Sequence, residues 1–140
     1  MAAAVAGAAL YALYASKRRR VTPGGPLYAK AQAHNGVVYV SGQVAALPHT
    51  KPPKLVSGGI VAETRQCLEN LKQALAESNS SLDRVLKTTC YLSTIDDYAA
   101  FNGVYLEYFR DEATRPARVC FGPGGLPLGA LVEIDAIAMC

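Results

Sequence analysis

Two charged residues in apolar, strand-like sequence are the strongest chemical signal in this chain. Arg118 lies in RPARVC, and Glu133 follows fifteen positions later in LVEIDAIA. A charge in such surroundings costs free energy unless it has a partner or a task. A fixed cation can hold a carboxylate, and a carboxylate can orient water and move protons. The alternative is a structural ion pair between neighbouring strands.

Length and cysteine usage limit the classes of protein. A chain of 140 residues forms one domain and can bury a core without disulfides. Its four cysteines show no clustered Cys/His spacing of the kind that zinc sites use, so no metal or other cofactor is predicted. Free thiols fit a reducing, intracellular compartment. The cysteines are Cys67, Cys90, Cys120 and Cys140.

The net charge of +3 comes from the N-terminal part of the chain. Residues 1–62 hold seven Lys/Arg and no acid, whereas residues 63–140 hold seven Lys/Arg and eleven Asp/Glu, a balance of −4. Proteins that bind nucleic acid usually carry a basic face with interleaved aromatic residues. The sequence shows none, so no nucleic-acid partner is predicted.

Residues 1–20 are predicted to be an extension of the domain. Residues 2–16 are apolar and small, and four basic residues follow them. Fifteen helical residues span about 22 Å, which is less than the roughly 30 Å hydrocarbon core of a bilayer. Three interpretations stay open: a membrane anchor whose basic flank faces the cytosol, a mitochondrial presequence, and a disordered Ala-rich extension. The predicted location is therefore cytoplasmic or mitochondrial. Residues 21–27 are predicted to be a linker and residues 28–140 the domain.

Periodicity and turn signals predict an α+β sandwich of order β-β-α-β-α-β-β, with both helices on one face of the sheet. The Asn35-Gly36 pair predicts a hairpin between the first two strands. The second helix carries an aromatic stripe that is predicted to be core or subunit interface: Tyr98, Phe101, Tyr105, Tyr108 and Phe109. The predicted strands are 28–34, 36–44, 84–92, 116–121 and 131–138, and the predicted helices start near Gly59 and Thr94.

A series of short motifs extends from Tyr28 to Cys140. They are Tyr28 thirteen residues before SGQ at 41–43, LVSGG at 55–59, FN at 101–102, PARVC at 116–120, LP at 126–127 and VEIDAIA at 132–138. In this order and spacing, the chain resembles the Rid/YjgF family of reactive-intermediate imine deaminases. It departs from the family in Leu27 before the tyrosine, in Ala29-Lys30 after it, and in the Pro/Gly-rich stretch 122–125, which should end a strand early.

The resemblance implies a fold, an assembly and a reaction. The fold is chorismate-mutase-like, and the assembly is a homotrimer with active sites in the clefts between subunits. The reaction is the hydrolysis of 2-imino or 2-enamino acids, such as 2-aminoacrylate and 2-iminobutanoate, to 2-oxo acids and ammonia. These intermediates escape from dehydratases that use pyridoxal phosphate, which implies a functional link to those enzymes.

Roles for the individual residues follow from their chemistry and from the resemblance. Arg118 is predicted to hold the substrate carboxylate, and Glu133 to orient water or relay its proton. Cys120 is predicted to steady the substrate through its backbone groups. Further hydrogen bonds and closure of the pocket are assigned to Ser41, Gly42, Asn102 and Tyr28.

Each of these residues also has a purely structural interpretation. Cys120 and Tyr28 could be packing residues, Ser41-Gly42 a β-bulge, and Asn102 a partner of local backbone. Two other functions stay open as well. One is a trimeric module that binds 2-oxo acids without turnover, and the other is an endoribonuclease or translation inhibitor.

Overall fold

One six-stranded sheet forms the centre of the computed structural model, which describes residues 20–140. The strands are β1 (Arg20–Thr22), β2 (Ala31–His34), β3 (Val37–Val44), β4 (Val85–Leu92), β5 (Ala117–Phe121) and β6 (Val132–Met139). Their order across the sheet is β1-β2-β3-β6-β4-β5. Every neighbouring pair is antiparallel except β4 and β5, which are parallel. This arrangement places β4 between the strands that carry Arg118 and Glu133.

The β2–β3 hairpin confirms the turn predicted at Asn35-Gly36. Asn35 and Gly36 both have positive φ, 52° and 77°, and His34 pairs with Val37 across the turn. A two-residue hairpin turn needs left-handed backbone at both positions, and Asn-Gly adopts it at low cost. The hairpin fixes the register of β3, the strand that carries Ser41 and Gly42.

Two helices cover one face of the sheet, as the sequence predicts. They are α1 (Gly59–Glu77) and α2 (Tyr98–Tyr108), and a short 3₁₀ turn, Ile95–Asp97, leads into α2. Residues at a helical period from Val61 to Leu75 predict a buried stripe on this helix. Its members Thr64, Leu68, Leu71 and Leu75 are indeed buried. Val61, which the period also places on that stripe, is exposed, and the neighbouring Ile60 packs against the core instead.

The aromatic stripe of α2 belongs to the core in its middle and reaches the surface at its N-terminal end. Phe101, Tyr105 and Phe109 are buried, with ring centroids 5.5 Å and 4.7 Å apart along the series. Tyr98 keeps 40% of its surface exposed, and the half-buried Tyr108 donates its hydroxyl to Glu69. The middle of the stripe therefore packs α2 onto the sheet, and the phenol of Tyr98 lies at the surface.

Strand alternation gives the sheet a buried face and an open face. The buried face includes Thr88, Cys90 and Leu92 on β4 and the even-numbered residues of β6 from Val132 to Ala138. The open face carries Tyr39, Val119 and Phe121, all more than two-fifths exposed. Strict alternation along β4 predicts that Leu86 shares the face of Thr88 and Cys90. That prediction is wrong: Val85 is buried and Leu86 is exposed, because the register of β4 shifts between Val85 and Lys87.

The N-terminal border of the domain differs from the predicted linker. Arg20–Thr22 forms the edge strand β1, which pairs with β2 and gives the sheet one strand more than the sequence indicated. Three residues before a Pro/Gly stretch carry too little periodicity to predict a strand. Residues 1–19, and with them the predicted anchor or presequence, lie outside the described residues. Within residues 20–140, neither helix combines the length and apolarity that a bilayer-spanning segment needs.

The stretch after β5 ends the strand early, as predicted. β5 ends at Phe121, and the chain continues through Gly122–Leu126 to a 3₁₀ turn at Pro127–Gly129 before β6 begins. Pro and consecutive Gly residues disfavour pairing in a strand. The loop lies at the end of the sheet that carries Glu133.

Leu68→Ala should destabilise the protein by about 2–5 kcal/mol, because it removes a fully buried side chain from the α1–sheet contact. Val61→Ala, on the exposed side of the same helix, should change the free energy of unfolding by less than about 0.5 kcal/mol. Urea unfolding at one fixed protein concentration compares the two variants. Equal losses would contradict this assignment of the core.

Candidate functional site

Arg118 lies on the buried face of the sheet, at its edge, where α2 reaches over β5. Its strand neighbour is Thr88, which is fully buried. Its guanidinium donates from Nη1 to Asn102 Oδ1 at 2.8 Å and from Nη2 to the Tyr98 hydroxyl at 3.0 Å. Tyr98 and Asn102 are four residues apart on α2, so both face the same strand. We call Tyr98, Asn102, Arg118 and Cys120 the arginine cluster.

Aromatic rings support the guanidinium of Arg118 from the side of α2. Its central carbon lies 4.7 Å from the ring centroid of Tyr105, and 5.6 Å from those of Tyr98 and Phe101. A cation at this distance from a ring is attracted by the electrons of its face. The Tyr105 hydroxyl is itself fixed by a 2.8 Å hydrogen bond to Thr88, and burial raises the pKa of Tyr105 to about 12. The guanidinium is therefore held before any ligand arrives.

Open space adjoins the guanidinium. Asn102, Arg118, Tyr105, Leu106 and Pro116 line a cavity of about 310 Å³ together with Arg115. An arginine has five N–H donors, and only two of those on Arg118 have a hydrogen-bond partner within residues 20–140. The remaining donors can receive a carboxylate in a bidentate pair.

Cys120 is placed for packing and is poorly suited to be a nucleophile. It lies two residues beyond Arg118 on the same face, opposite the buried Cys90, and packs against the core. Burial raises the pKa of the Cys120 thiol, and the charge of Arg118 only partly opposes this effect. A catalytic thiolate needs a lowered pKa. These observations favour the packing interpretation of the side chain.

The second set of predicted residues meets where β3 is irregular. The β3–β6 register shifts between Val40 and Gln43, so Ser41 and Gly42 form a β-bulge. The Ser41 hydroxyl donates to Ala29 O at 2.7 Å and its N–H to Lys30 O at 2.9 Å, which holds the segment after Tyr28 beside the bulge. We call Tyr28, Ser41, Gly42 and Glu133 the glutamate cluster.

The carboxylate of Glu133 occupies the space that a side chain at Gly42 would fill. A Cβ built on Gly42 would lie 1.8 Å from Glu133 Oε1, closer than any non-bonded contact allows. Because Gly42 has a negative φ, its backbone conformation does not require a glycine. The close approach of the Glu133 carboxylate does. The bulge and the missing side chain together let Glu133 lie against the backbone of β3.

Tyr28 is a surface residue of the glutamate cluster. It is 63% exposed, which excludes the interpretation that it is a core residue. Tyr28 and Ser41 line one cavity of about 480 Å³, and Tyr28 and Gly42 line another of about 230 Å³. An exposed phenol at the border of two cavities is placed to close over a ligand.

Glu133 holds a proton more readily than an ordinary glutamate. Partial burial, and secondly the like charge of Asp135 on the same face, raise the pKa of its carboxyl above the usual value. Asp135 accepts the Tyr91 hydroxyl at 2.8 Å, and Tyr91 packs edge-on against Phe121 with ring centroids 5.3 Å apart. An acid with a raised pKa is suited to exchange protons with water and a leaving group.

The arginine cluster and the glutamate cluster lie on opposite faces of the sheet. Arg118 shares its face with Thr88 and, one strand further, with the buried Ala136. Glu133 is an odd number of residues from Ala136 on β6, so it points to the open face. β4 lies between their strands, and no ion pair within residues 20–140 joins them. The interpretation as a structural ion pair is therefore excluded, and one chain does not bring the two groups together.

Tyr98 is the cluster residue that sequence reasoning missed. Its place in the aromatic stripe predicts a core or interface residue, yet its hydroxyl binds Arg118. The available signal was its spacing of four residues from Asn102, which puts both side chains on one helical face. Asn102 itself binds Arg118 and not local backbone, so that alternative for Asn102 is excluded.

Within the described part of the chain, no three His, Cys, Asp or Glu side chains gather closely enough to hold one metal ion.

Comparisons with known proteins cover most of the chain. The sequence model of the family described as Endoribonuclease L-PSP matches residues 19–140 of this chain. Protein MMF1, mitochondrial, of Saccharomyces cerevisiae is 40% identical over 117 residues, which cover 84% of this chain and 77% of that protein. The 2-iminobutanoate/2-iminopropanoate deaminase of Mus musculus is 37% identical over 112 residues, covering 80% of each chain. The crystal structure of YyfA, of the Rid protein family, from Yersinia pestis aligns with a TM-score of 0.80 at 32% identity, covering 88% of this chain and all of that one.

Glu133→Gln should leave the protein at least as stable as the wild type at pH 7. The raised pKa means that the folded state binds the proton of Glu133 more tightly than the unfolded state does. The stability that comes from the protonated form is present at low pH and is lost as the pH rises through the folded pKa. The glutamine variant should therefore match the wild type near pH 4 and equal or exceed it at pH 7.

Urea unfolding at the two pH values measures this difference. Glu112→Gln, at an exposed carboxylate outside both clusters, is the control and should show no such gain. If Glu133→Gln matched the wild type at pH 4 but had a lower free energy of unfolding than the wild type at pH 7, ionised Glu133 would stabilise the fold. That result would contradict the prediction.

Proposed function

The chain belongs to the Rid/YjgF family, and we propose that it hydrolyses reactive 2-imino and 2-enamino acids, such as 2-aminoacrylate and 2-iminobutanoate, to 2-oxo acids and ammonia. The observation that carries the proposal is the fixed guanidinium of Arg118, with unengaged donors facing a cavity. The murine relative named 2-iminobutanoate/2-iminopropanoate deaminase supports this choice of reaction.

Arg118 has the properties that a 2-imino acid requires of its binding site. The substrate carboxylate lies next to the C=N carbon, so a bidentate arginine pair fixes the position of the reacting atom. Asn102 and the aromatic rings orient the guanidinium in advance, which lowers the entropy lost on binding. The same cavity has room for the short side chain of the substrate.

Glu133 supplies the proton chemistry. A protonated imine is already electrophilic, so the reaction needs a positioned water and a group that takes its proton. Water attacks the imine carbon, Glu133 accepts a proton from it, and the tetrahedral carbinolamine forms. Glu133 then returns the proton to the nitrogen and takes the proton of the carbinolamine hydroxyl as the C–N bond breaks, so the C=O bond of the 2-oxo acid forms and ammonia leaves. That proton passes from Glu133 to the departing ammonia or to water, which restores the carboxylate. The raised pKa of Glu133 suits these transfers.

We propose that the complete site forms between subunits of a homotrimer. Arg118 and Glu133 lie on opposite faces of one sheet, so a site that contains both needs a second copy of the chain. The open face offers an apolar surface for that contact, because Tyr39, Val119 and Phe121 are exposed on it. In this assembly the arginine cluster of one subunit faces the glutamate cluster of the next, with Tyr28 closing the cleft.

Two alternatives compete with the deaminase. A non-catalytic trimer that binds 2-oxo acids would use Arg118 in the same way, but it would have no use for a half-buried acid packed against Gly42. The description of the matching family as Endoribonuclease L-PSP favours an activity on RNA. The acidic balance of residues 63–140 disfavours an extended phosphate-binding surface. A true ribonuclease activity should fall when Arg118 or Glu133 is replaced.

The setting of the reaction follows from its chemistry. Reactive imines of this class arise from dehydratases that use pyridoxal phosphate, so we propose that the protein acts downstream of such enzymes. The related protein MMF1 is described as mitochondrial, which supports the mitochondrial one of the two predicted locations.

Arg118→Ala should abolish imine hydrolysis and leave the fold intact, because it removes the carboxylate anchor from a partly exposed position. The assay generates 2-aminoacrylate or 2-iminobutanoate in place with a dehydratase and follows the loss of the imine. Arg110→Ala is the matched control. Within residues 20–140 the exposed side chain of Arg110 donates one hydrogen bond, to Glu107 O, and its loss should leave the rate unchanged.

Two outcomes would contradict the proposal. A folded wild-type protein that does not accelerate imine loss, yet binds a 2-oxo acid, would favour the binding module. Unchanged turnover in Arg118→Ala would remove Arg118 from the mechanism.

A further inference from the structure

We propose that the Tyr98 hydroxyl is a substrate-binding group that donates a hydrogen bond to the substrate carboxylate, beside Arg118. The inference deepens the proposed function and rests on it for the substrate class, the 2-imino acids and their 2-oxo acid products. It assigns a role to a residue at the start of α2, in the aromatic stripe that otherwise forms the core.

The direction of the hydrogen bond between Arg118 and Tyr98 supports this role. The Arg118 Nη2 group lies 3.0 Å from the Tyr98 hydroxyl oxygen. Arginine has only donors, so the phenol oxygen must accept this bond and cannot direct its own proton at Arg118. Within residues 20–140 the Tyr98 hydroxyl has no acceptor for that proton. The O–H group without an acceptor therefore lies beside a guanidinium whose charge and unused N–H groups attract an anion.

The surroundings of Tyr98 point in the same direction. Tyr98 is 40% exposed, so it lies at the surface beside the guanidinium and not in the core. Asn102 uses its Oδ1 to accept from Arg118, which leaves the two N–H groups of its Nδ2 unengaged within the described part of the chain. The phenol, the amide and the unused guanidinium N–H groups are all donors around one cation. Such a set is complementary to a carboxylate, which donors beside a cation bind more strongly than they bind a neutral acceptor.

Tyr108 shows what a purely structural phenol on the same helix looks like. Its hydroxyl donates to Glu69 Oε1 at 2.8 Å, so its proton already has an acceptor. Tyr98 differs, because its hydroxyl accepts a hydrogen bond from a cation and its own proton has no acceptor within residues 20–140.

The contact should act on binding and not on the chemical step. The carboxylate keeps its charge from the imine through the carbinolamine to the 2-oxo acid, so a donor to it stabilises all these states alike. Loss of such uniform binding raises KM and leaves kcat unchanged. This split separates Tyr98 from Glu133, whose proton transfers take part in the transition state.

Tyr98→Phe removes only the hydroxyl and keeps the ring that lies 5.6 Å from the guanidinium carbon. We expect KM for the imine and Kd for 2-oxobutanoate to rise roughly ten-fold or more, as when a hydrogen bond to a charged group is lost. We expect kcat to stay within about two-fold of the wild type. Tyr108→Phe on the same helix is the control and should leave KM, Kd and kcat unchanged.

The probes are 2-oxobutanoate and its neutral analogue butanone, with binding followed by calorimetry or NMR. Weakened binding of the acid but not of the ketone supports the carboxylate contact. Equal Kd for the acid in wild type and Tyr98→Phe overturns the inference while leaving the deaminase proposal intact. Tyr98-dependent binding of the acid without any turnover by the wild type supports the contact and rejects the deaminase proposal. A fall in kcat at unchanged KM also overturns the inference.

Discussion

The constraint on which this structure depends is the alternation of side chains along a β-strand. Arg118 shares the helix-covered face with Thr88 and Ala136, whereas Glu133 points to the open face, and β4 separates their strands. A change of rotamer cannot move a side chain from one face of a sheet to the other. The two groups best suited to the chemistry therefore cannot meet within one chain. Any mechanism that uses both makes assembly a condition of activity, and the exposed apolar residues of the open face supply a surface for that assembly.

Each cluster is held in place by a different physical device. Arg118 is fixed by α2, through hydrogen bonds to Asn102 and Tyr98 and through three aromatic rings, so its orientation depends on how that helix packs. Glu133 is fixed by a bulge in β3 and by the missing side chain of Gly42. Its raised pKa means that ionising it costs more in the folded protein than in water. Keeping an acid there at the expense of stability is typical of a functional site.

The sequence predicted most of the fold because its signals were local. The Asn35-Gly36 turn, the stripe of α1 and the early end of β5 at a Pro/Gly stretch are each decided within a few residues. It missed β1, a three-residue edge strand, and the register shift at Val85, because both depend on pairing with distant strands. Arg118 and Glu133 could be identified as charged residues in apolar segments, and Asn102 and Gly42 through the family resemblance. The sequence could not predict the separation of the clusters, which follows from strand order, or the bond from Arg118 to Tyr98, which depends on how α2 lies over β5.

The most direct test of the account mixes two inactive variants. Arg118→Ala and Glu133→Ala chains are unfolded together in equal amounts, refolded, and checked for assembly by light scattering, with each variant refolded alone as a control. If each site takes its arginine from one copy and its glutamate from the next, about a quarter of the interfaces in a random mixture contain both groups. The account predicts imine hydrolysis at about that fraction of the wild-type rate, from chains that are inactive alone. A fully mixed assembly with no recovered activity would contradict it.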